Sequence, residues 1–515
     1  MILIVDFGSQ TTHLIGRRVR DFGIPVNIIT PDIMDCISNG QSLNNIKIDN
    51  VSGIILSGGP ASVYELDAPI VNKKIYSLGI PILGICYGQQ LTAKLLGGIV
   101  KQSKTKEYGP AVLEINQPSR LFTHITDNHF GVWMSHGDEV VTAPDTFSIV
   151  ASTETITAAV MQDEKRKIYC LQFHPEVKHT LNGTLILRNF LHLICGQSIK
   201  RRSLSIPTFI KLAQEAIGDG QAIAAVSGGV DSTVASALLA RAIGSRLIPI
   251  YVDNGLMRLG NRKNIQFIFD NILKVPLHII DAKDQFLSAL SGVIDPEQKR
   301  KIIGQLYINC FEKEATKYPK ATNLVQGTIY SDIIESQGTK YASKIKSHHN
   351  VGGLPEQLNL RLFEPLRDLY KDEVRKLGAK LGLPPEIVNQ QPFPGPGQAI
   401  RIVGEVTADR LTKQQQTDQI VLEEIKKSGW EKKVFQSFPV LTNTKSTAVK
   451  GDGRFYGEVV ALRVYGSVDI MTASWSRLPY WLLQSISSRI VNEVPGVSRV
   501  VYDITTKPPA TMEWE

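Results

Sequence analysis

A cysteine between two glycines is the first feature of the chain whose residue types and spacing suggest chemistry. Cys86 stands in the run Gly-Ile-Cys-Tyr-Gly, with one glycine two residues before it and another two residues after it. This spacing is typical of a nucleophile elbow, in which a strand ends, the nucleophile occupies a sharp turn and a helix begins at once. A helix amino terminus favours the thiolate, which is the reactive form of cysteine. The sequence therefore predicts that Cys86 is a nucleophile.

A cysteine nucleophile needs a base, and the base needs a group that orients it. The run Phe-His-Pro-Glu places His174 and Glu176 two residues apart after the apolar segment 168–173. Two residues apart at a strand end, their side chains can project to the same side. His174 is predicted to take and return a proton, and Glu176 to fix the tautomer of its imidazole.

A second chemical signature follows the apolar run 222–226, where Ser-Gly-Gly-Val-Asp-Ser leads into a predicted helix. A strand, a glycine turn and a helix amino terminus together make an anion site, because backbone amides and the helix dipole point at the ligand. No lysine follows the glycines, so this is not the Gly-x-x-x-x-Gly-Lys-Ser/Thr loop. It resembles the pyrophosphate-gripping loop of N-type ATP pyrophosphatases. The resemblance implies ATP binding by Ser227, Gly228, Gly229, Val230, Asp231, Ser232 and Thr233.

Acidic and basic residues near this loop suggest further ligand contacts. Asp253 ends the next apolar run and is predicted to lie near the nucleotide. Asp332 and Glu335 are three residues apart and share a helix face, so they could bind Mg²⁺ on the ATP phosphates. They could equally be ordinary acidic residues in the first turn of a helix. Asp231 is a further candidate ligand for the metal. The glycine-hinged segment 345–355 is predicted to be a lid, from which Lys346 could reach a phosphate.

These residues require particular elements to position them. Strand-like runs alternate with helical stretches up to about residue 390, which is typical of α/β domains whose ligands bind at the carboxyl ends of parallel strands. Beyond the rigid Phe-Pro-Gly-Pro-Gly junction, strands are predicted at 399–403, 434–440, 458–465 and 499–505, with helices at 408–428 and 479–493. The predicted fold is two doubly wound parallel-sheet domains, 1–195 and 196–390, followed by a small α+β domain, 391–515.

Composition excludes several classes of protein. The length of 515 residues allows two to four domains, and 43% hydrophobic with 21% charged residues is typical of a globular protein without membrane spans. Five scattered cysteines, none in a Cys-x-x-Cys pair, favour a reducing cytoplasm over a disulfide framework or a zinc ribbon. A net charge of +8 without a block of basic residues interleaved with aromatics argues against nucleic-acid binding.

Four motifs of the first domain closely resemble those of class I glutamine amidotransferases. They are the Cys86 and His174 runs above, Ser57-Gly58-Gly59-Pro60 and Trp133-Met134-Ser135-His136-Gly137-Asp138. The resemblance implies that Cys86 attacks the glutamine side-chain amide, forms a thioester and releases ammonia. It also implies an oxyanion hole from the amides of Gly59 and Tyr87, and glutamine contacts from Gln90, Ser135 and His136. Gln89 stands where that family usually has an apolar residue.

Motifs along nearly the whole chain closely resemble the family of glutamine-hydrolysing GMP synthetases. They include Asp-Asn-Gly-Leu-Met-Arg, Lys-x-His-His-Asn-Val-Gly-Gly, Phe-Pro-Gly-Pro-Gly and Lys-Pro-Pro-Ala-Thr-Met-Glu-Trp-Glu. The resemblance implies three domains, a homodimer formed through the C-terminal one, and ATP with Mg²⁺ as cofactors. It assigns contacts with xanthosine monophosphate to Arg258, Lys507, Glu513 and, more weakly, Arg401. Ile470 stands where the family usually has glycine.

The implied reaction joins the two sites. Xanthosine monophosphate would be adenylated in the middle domain, and ammonia released at Cys86 would displace AMP to give GMP. Three alternatives stay open at this point: another amidotransferase-fed adenylating ligase such as an NAD synthetase, a tRNA-modifying protein on the same ATP fold, and an inert regulatory protein. The C-terminal motif argues against the first, the lack of a basic-aromatic patch or paired cysteines against the second, and the complete cysteine, histidine and glutamate set against the third.

Overall fold

The computed structural model describes residues 1–515 except 10, 43–45, 201–204, 331, 333–359, 451, 468–472 and 508. The chain divides into two compact units, one up to residue 203 and one with the described residues beyond 204. The second unit contains both the middle sheet and the C-terminal sheet. The three-domain division at 195 and 390 stays a prediction.

The first unit is built on one mixed sheet of nine strands within the described residues. They are β1 (Ile2–Val5), β2 (Val26–Ile29), β3 (Gly53–Leu56), β4 (Ile82–Ile85), β5 (Ile99–Ile115), β6 (His129–Thr142), β7 (Ser148–Ser152), β8 (Val160–Asp163) and β9 (Ile168–Leu171). Their order is β2-β1-β3-β4-β9-β8-β7-β5-β6. The first five run parallel, and the remaining pairings are antiparallel. The predicted parallel sheet therefore accounts for only five strands.

Sequence patterns explain why the two halves of this sheet differ. The parallel strands β1, β3, β4 and β9 are continuous apolar runs, and every residue in them is buried. Such strands must be covered on both faces. Alternate residues of β1 accordingly enter two separate cores, Ile2 and Ile4 in one and Leu3 and Val5 in the other. The antiparallel strand β6 instead alternates buried with more exposed residues over most of its length. Helices in this unit span Thr12–Asp21, Pro31–Ser38, Tyr87–Leu95 and Gly183–Asn189.

The second unit begins with a parallel sheet of the doubly wound type. It contains β10 (Gln221–Val226), β11 (Leu247–Asp253), β12 (His278–Asp281), β13 (Ala321–Val325) and β14 (Arg361–Phe363), in the order β12-β11-β10-β13-β14. The chain reverses its direction of winding between β10 and β13, which is where ligands of such sheets bind. Its helices span Ile206–Ile217, Val230–Ile243, Asn261–Phe267, Lys283–Ala289, Pro296–Ala315, Lys371–Lys380 and Pro385–Val388.

The C-terminal part of this unit pairs a second sheet with two helices. The strands are β15 (Gln436–Lys450), β16 (Gly453–Gly466), β17 (Ser474–Trp475) and β18 (Val497–Tyr502), and the helices are Ala408–Lys427 and Tyr480–Glu493. Both predicted helices are confirmed to within one residue at each end. Three of the predicted strands are also confirmed: 458–465 lies within β16, 499–505 overlaps β18, and 434–440 matches the start of β15, which continues ten residues further. The predicted strand at 399–403 is wrong, because Gly397–Arg401 is a short 3₁₀ turn. Gly397 has φ +69°, and a Cβ there would lie 2.4 Å from the carbonyl oxygen of Leu256.

One buried arginine holds the segment that follows β18. The Arg463 side chain is only 2% exposed and pairs with the Asp503 carboxylate. Its guanidinium also donates to the carbonyl oxygens of Met512, at 3.1 Å, and Thr511, at 2.7 Å. The Arg463 guanidinium therefore holds the segment after β18 in place, and the Asp503 carboxylate and the carbonyl oxygens of that segment stabilise the buried charge.

We predict that Arg463→Met lowers the free energy of unfolding by about 3–5 kcal/mol, because the Asp503 carboxylate, whose side chain is 9% exposed, loses its cationic partner. Chemical denaturation would measure the change. Arg454→Met is the matched control, since Arg454 is exposed on the same strand. Equal unfolding free energies for the two variants would contradict the assignment.

Candidate active sites

Cys86 lies on a tight turn between a strand and a helix, as the sequence predicted. It follows β4 directly, the helix Tyr87–Leu95 begins at the next residue, and its own φ is +51°. Few non-glycine residues adopt this left-handed conformation. The flanking glycines make the turn possible, because a Cβ on Gly84 would lie 2.7 Å from the carbonyl oxygen of Gly88, and a Cβ on Gly88 would lie 2.4 Å from that of Leu56.

Parallel pairing brings His174 to the same edge of the sheet. Strands β4 and β9 are neighbours in parallel register, and the amide of Cys86 extends the ladder by donating to Leu171 O at 2.7 Å. His174 follows three residues later and is held by its amide, which donates to Trp133 O at 3.1 Å. The hydroxyl of Thr180 donates to His174 O at 2.6 Å. The two segments are distant in sequence, but their strand ends lie side by side.

The imidazole of His174 connects the thiol with the carboxylate. Its Nδ1 lies 2.7 Å from Oε1 of Glu176, whose side chain is fully buried. Burial alone would lower the pKa of His174, but the Glu176 charge and the interaction with the Cys86 thiol outweigh it and raise the pKa well above its usual 6.5. A protonated imidazole beside the thiol is the form that can donate a proton to a leaving amine. The thiol itself lies 3.6 Å from Ser135 O.

Two backbone amides near Cys86 have no hydrogen-bond acceptor within the described part of the chain. They belong to Tyr87, the first residue of its helix, and to Gly59, in the loop after β3. The next three amides of the helix are satisfied, by Ser57 O and Cys86 O. Free amides at a helix amino terminus are able to bind an oxyanion.

The three predicted glutamine contacts differ in their surroundings. Ser135 is exposed, whereas Gln90 is buried and donates from Nε2 to Asp138 O at 2.8 Å. His136 is buried with Nε2 at 3.2 Å from Glu107 Oε2, and burial lowers its pKa more than Glu107 raises it. The unusual Gln89 is fully buried and donates to Ala158 O at 2.7 Å.

In the second unit, the predicted ATP loop directly follows β10 and folds around its own hydroxyl groups. The amide of Ser227 donates to Ser232 Oγ at 3.2 Å, and the Thr233 hydroxyl donates to Gly229 O at 2.9 Å. Gly228 has φ +83°, and the helix Val230–Ile243 begins inside the motif. The loop therefore has the strand, turn and helix start that the sequence predicted.

The acidic candidates of this unit already have partners. Asp231 Oδ2 lies 2.6 Å from Lys371 Nζ, while its buried Oδ1 has no partner among the described residues. Asp253, at the end of β11, is 3.2 Å from Lys283 Nζ and 3.3 Å from an Arg262 Nη. Asp332 Oδ2 accepts the amide of Ile329 at 2.9 Å. Within the described ranges no group of three metal-ligating side chains occurs; Glu335 and Lys346 lie outside them.

The predicted nucleotide contacts Arg258, Arg401 and Glu513 form one cluster. Arg401 is fully buried and binds both carboxylate oxygens of Glu513, at 2.9 and 3.0 Å. Arg258 donates from Nε to Asp418 at 2.9 Å. The ring of Phe393 lies 4.6 Å from the Arg258 guanidinium and 5.0 Å from that of Arg401. The backbone of Lys507 pairs with that of Ala473 in an antiparallel bridge.

Sequence reasoning missed Asp418 and Lys371, which pair with Arg258 and Asp231. Both lie in ordinary-looking amphipathic helices, and their partners are at least 140 residues away. No local pattern indicates such contacts.

Comparison with known proteins identifies the family of the chain. The family described as "Glutamine amidotransferase class-I" matches residues 3–194, and "GMP synthase C terminal domain" matches residues 423–514. Proteins named "GMP synthase [glutamine-hydrolyzing]" from Nitratiruptor sp., Halothermothrix orenii and Campylobacter jejuni are 51%, 50% and 49% identical, each over 100% of this chain and 99% of their own length. The chain belongs to the family of glutamine-hydrolysing GMP synthases. A member of this family is an enzyme, and within the described residues we find no helix of the length and apolarity that a membrane span needs.

We predict that the Glu176 charge stabilises the folded protein most at low pH. A group whose pKa is raised in the folded state contributes stability below its unfolded pKa, and that stability is lost as the pH rises through the folded pKa. The loss of unfolding free energy in Glu176→Gln should therefore be largest, about 1–3 kcal/mol, below pH ~6.5 and shrink toward alkaline pH.

Denaturation across this pH range would measure the difference, with Glu154→Gln on an exposed loop as the control. A difference that stays constant, or grows as the pH rises, would disprove the charge pairing.

Proposed function

We propose that the chain makes GMP from xanthosine monophosphate in two linked half-reactions, and that the residues described above carry them. Family membership supports the overall reaction, a step of purine nucleotide biosynthesis in which glutamine supplies the nitrogen and ATP the driving force. The assignment of individual residues is supported by their geometry. The pairing of His174 Nδ1 with Glu176 Oε1 at 2.7 Å, at the same sheet edge as the Cys86 elbow, is the observation that carries the proposal.

In the first half-reaction, Cys86 attacks the glutamine side-chain amide and forms a thioester. His174 donates a proton to the departing ammonia and then accepts one from the water that hydrolyses the thioester, while Glu176 orients the ring. The free amides of Gly59 and Tyr87 stabilise the oxyanion, a contribution worth about 2.7–4 kcal/mol per donor. Gln90, Ser135 and His136 surround the bound glutamine.

In the second half-reaction, the C2 oxygen of xanthosine monophosphate attacks the α-phosphorus of ATP, and pyrophosphate leaves. The loop Ser227–Thr233 binds that pyrophosphate, and Asp253 lies near the nucleotide. Ammonia then attacks C2, AMP departs, and GMP remains. Mg²⁺ would screen the phosphate charge; Asp231 and Asp332 would hold it, and the unpartnered Oδ1 of Asp231 suits a cation.

The substrate nucleotide is proposed to contact Arg258, Arg401, Lys507 and Glu513, with Lys346 approaching a phosphate. Three of these side chains already share one buried network, which supports a common role. Arg401 and Glu513 already pair with each other. A bound nucleotide would therefore either replace one partner of this pair or form additional hydrogen bonds beside it.

We also propose a domain division and an assembly state. The domain boundaries are those predicted from the sequence, at residues 195 and 390, and dimerisation is assigned to the C-terminal domain. Large apolar side chains exposed there support a homodimer: Tyr480 is 90% and Trp481 60% exposed on one helix, and Tyr456 is 67% exposed on β16. The five cysteines are all free, which supports a reducing compartment such as the cytoplasm.

We predict that Cys86→Ala abolishes GMP formation with glutamine as donor but retains it with ammonium, because the thiol serves only to release nitrogen. The assay would follow GMP from xanthosine monophosphate and Mg-ATP with each donor. Cys36→Ala, which removes a thiol remote in sequence from the motifs, is the control and should keep both activities. Loss of both activities in Cys86→Ala, with an intact fold, would refute the separation of the two half-reactions.

A further inference from the structure

Lys299 is a fully buried cation that the proposed chemistry does not use. It lies near the start of the helix Pro296–Ala315, and its side chain is 0% exposed. Its ammonium donates to Ile402 O at 2.7 Å and Ala399 O at 3.4 Å, and it pairs with the Glu515 carboxylate. A lysine has three donors, and all three are satisfied here. Burying an ammonium is costly unless it is paired in this way.

Glu515 is held from several sides as well. Its second carboxylate oxygen accepts the amide of Gly404 at 3.3 Å, and Arg300 donates to its main-chain oxygen. The Glu515 side chain is only 9% exposed. The segment that ends at this residue is therefore attached to the start of the helix and to the chain after the 3₁₀ turn.

These contacts enclose the Arg401–Glu513 pair. Arg401 lies between Ala399 and Ile402, the two residues whose carbonyl oxygens Lys299 binds, and Glu513 lies two residues before Glu515. One ammonium thus holds the backbone on both sides of Arg401 and, through Glu515, the segment that presents Glu513. Movement of either segment would misalign a bidentate pair whose geometry is demanding.

The same helix also contacts the strand that leads into the ATP loop. Tyr307 lies eight residues after Lys299, which is about 12 Å along a helix, and its hydroxyl donates to Val226 O at 3.3 Å. Val226 directly precedes Ser227. A single rigid element therefore connects the proposed nucleotide pair with the proposed pyrophosphate loop.

We infer that Lys299 and Glu515 are positioning residues for the substrate nucleotide: their ion pair fixes where Glu513 meets Arg401. The inference rests on the proposed function, because it deepens the assignment of Arg401 and Glu513. Neither residue of the ion pair touches the reacting atoms. A role in stability alone would predict weaker folding without a selective loss of substrate affinity.

The test uses the full chain with ammonium as donor, so that Cys86 is not needed. Glu515→Gln, Lys299→Met and the double variant would be compared with wild type in KM for xanthosine monophosphate, KM for ATP, kcat and thermal midpoint. We expect each single variant to raise KM for xanthosine monophosphate about tenfold or more, equivalent to about 1.4 kcal/mol of binding, and to leave KM for ATP within about twofold of wild type. Lys301→Met, an exposed position on the same helix, is the matched control.

The double variant separates positioning from stability. It leaves no buried charge unpaired, so its thermal midpoint should return toward that of wild type, while KM for xanthosine monophosphate stays raised because the anchoring contacts are gone. A KM near the wild-type value in the double variant, or in the near-isosteric Glu515→Gln should Lys299→Met fail to fold, would overturn the inference. Failure of wild type to make any GMP would instead refute the proposed function, and the inference with it.

Discussion

Parallel strand pairing is the constraint on which both candidate sites depend. In the first unit, the hydrogen bond from the Cys86 amide to Leu171 O continues the pairing of β4 with β9 one residue beyond the end of β4. Since parallel strands end at the same edge, residues that are 88 positions apart, Cys86 and His174, must emerge together. The elbow and the helix start are local features: Cys86 leaves the buried strand at φ +51°, and the helix, whose first amide is free within the described part of the chain, begins at the next residue.

The second unit applies the same constraint to phosphate chemistry. Strand β10 lies between β11 and β13, so the loops after all three strands share one edge. Their closeness is visible at Gly327, where a Cβ would lie 2.7 Å from the amide of Ser232. The loop after β13 can approach the ATP loop only because it has no side chain at that point. The acidic residues near these loops pair with lysines from other elements: Asp231 pairs with Lys371 on a later helix, and Asp253 pairs with Lys283.

Sequence reasoning succeeded where a signal is local and failed where it is not. Strand-turn-helix motifs around Cys86 and Ser227 contain their own glycines and apolar runs, and the helices Ala408–Lys427 and Tyr480–Glu493 show clear periodicity. The segment 399–403 has strand-like residues, but Gly397 and tertiary contacts impose a 3₁₀ turn on it. The partners Asp418, Lys371 and Glu515 could not be found, since each is joined to a residue 140 or more positions away. Burial makes these contacts important, yet burial of a charge leaves no pattern in the sequence.

The described partners of Cys86, His174 and Glu176 have one further property, which is that they all belong to the first unit. Leu171, Trp133, Ser135 and Thr180 supply the contacts that shape the site, and none of them lies beyond residue 203. Under the proposed roles, the groups that release nitrogen from glutamine would therefore all be encoded before that point, as one module. Evolution can exchange such a module between ligases, or run it as a separate subunit, without redesigning either set of reactive groups. With the proposed roles, the source of nitrogen would be a replaceable part of the enzyme.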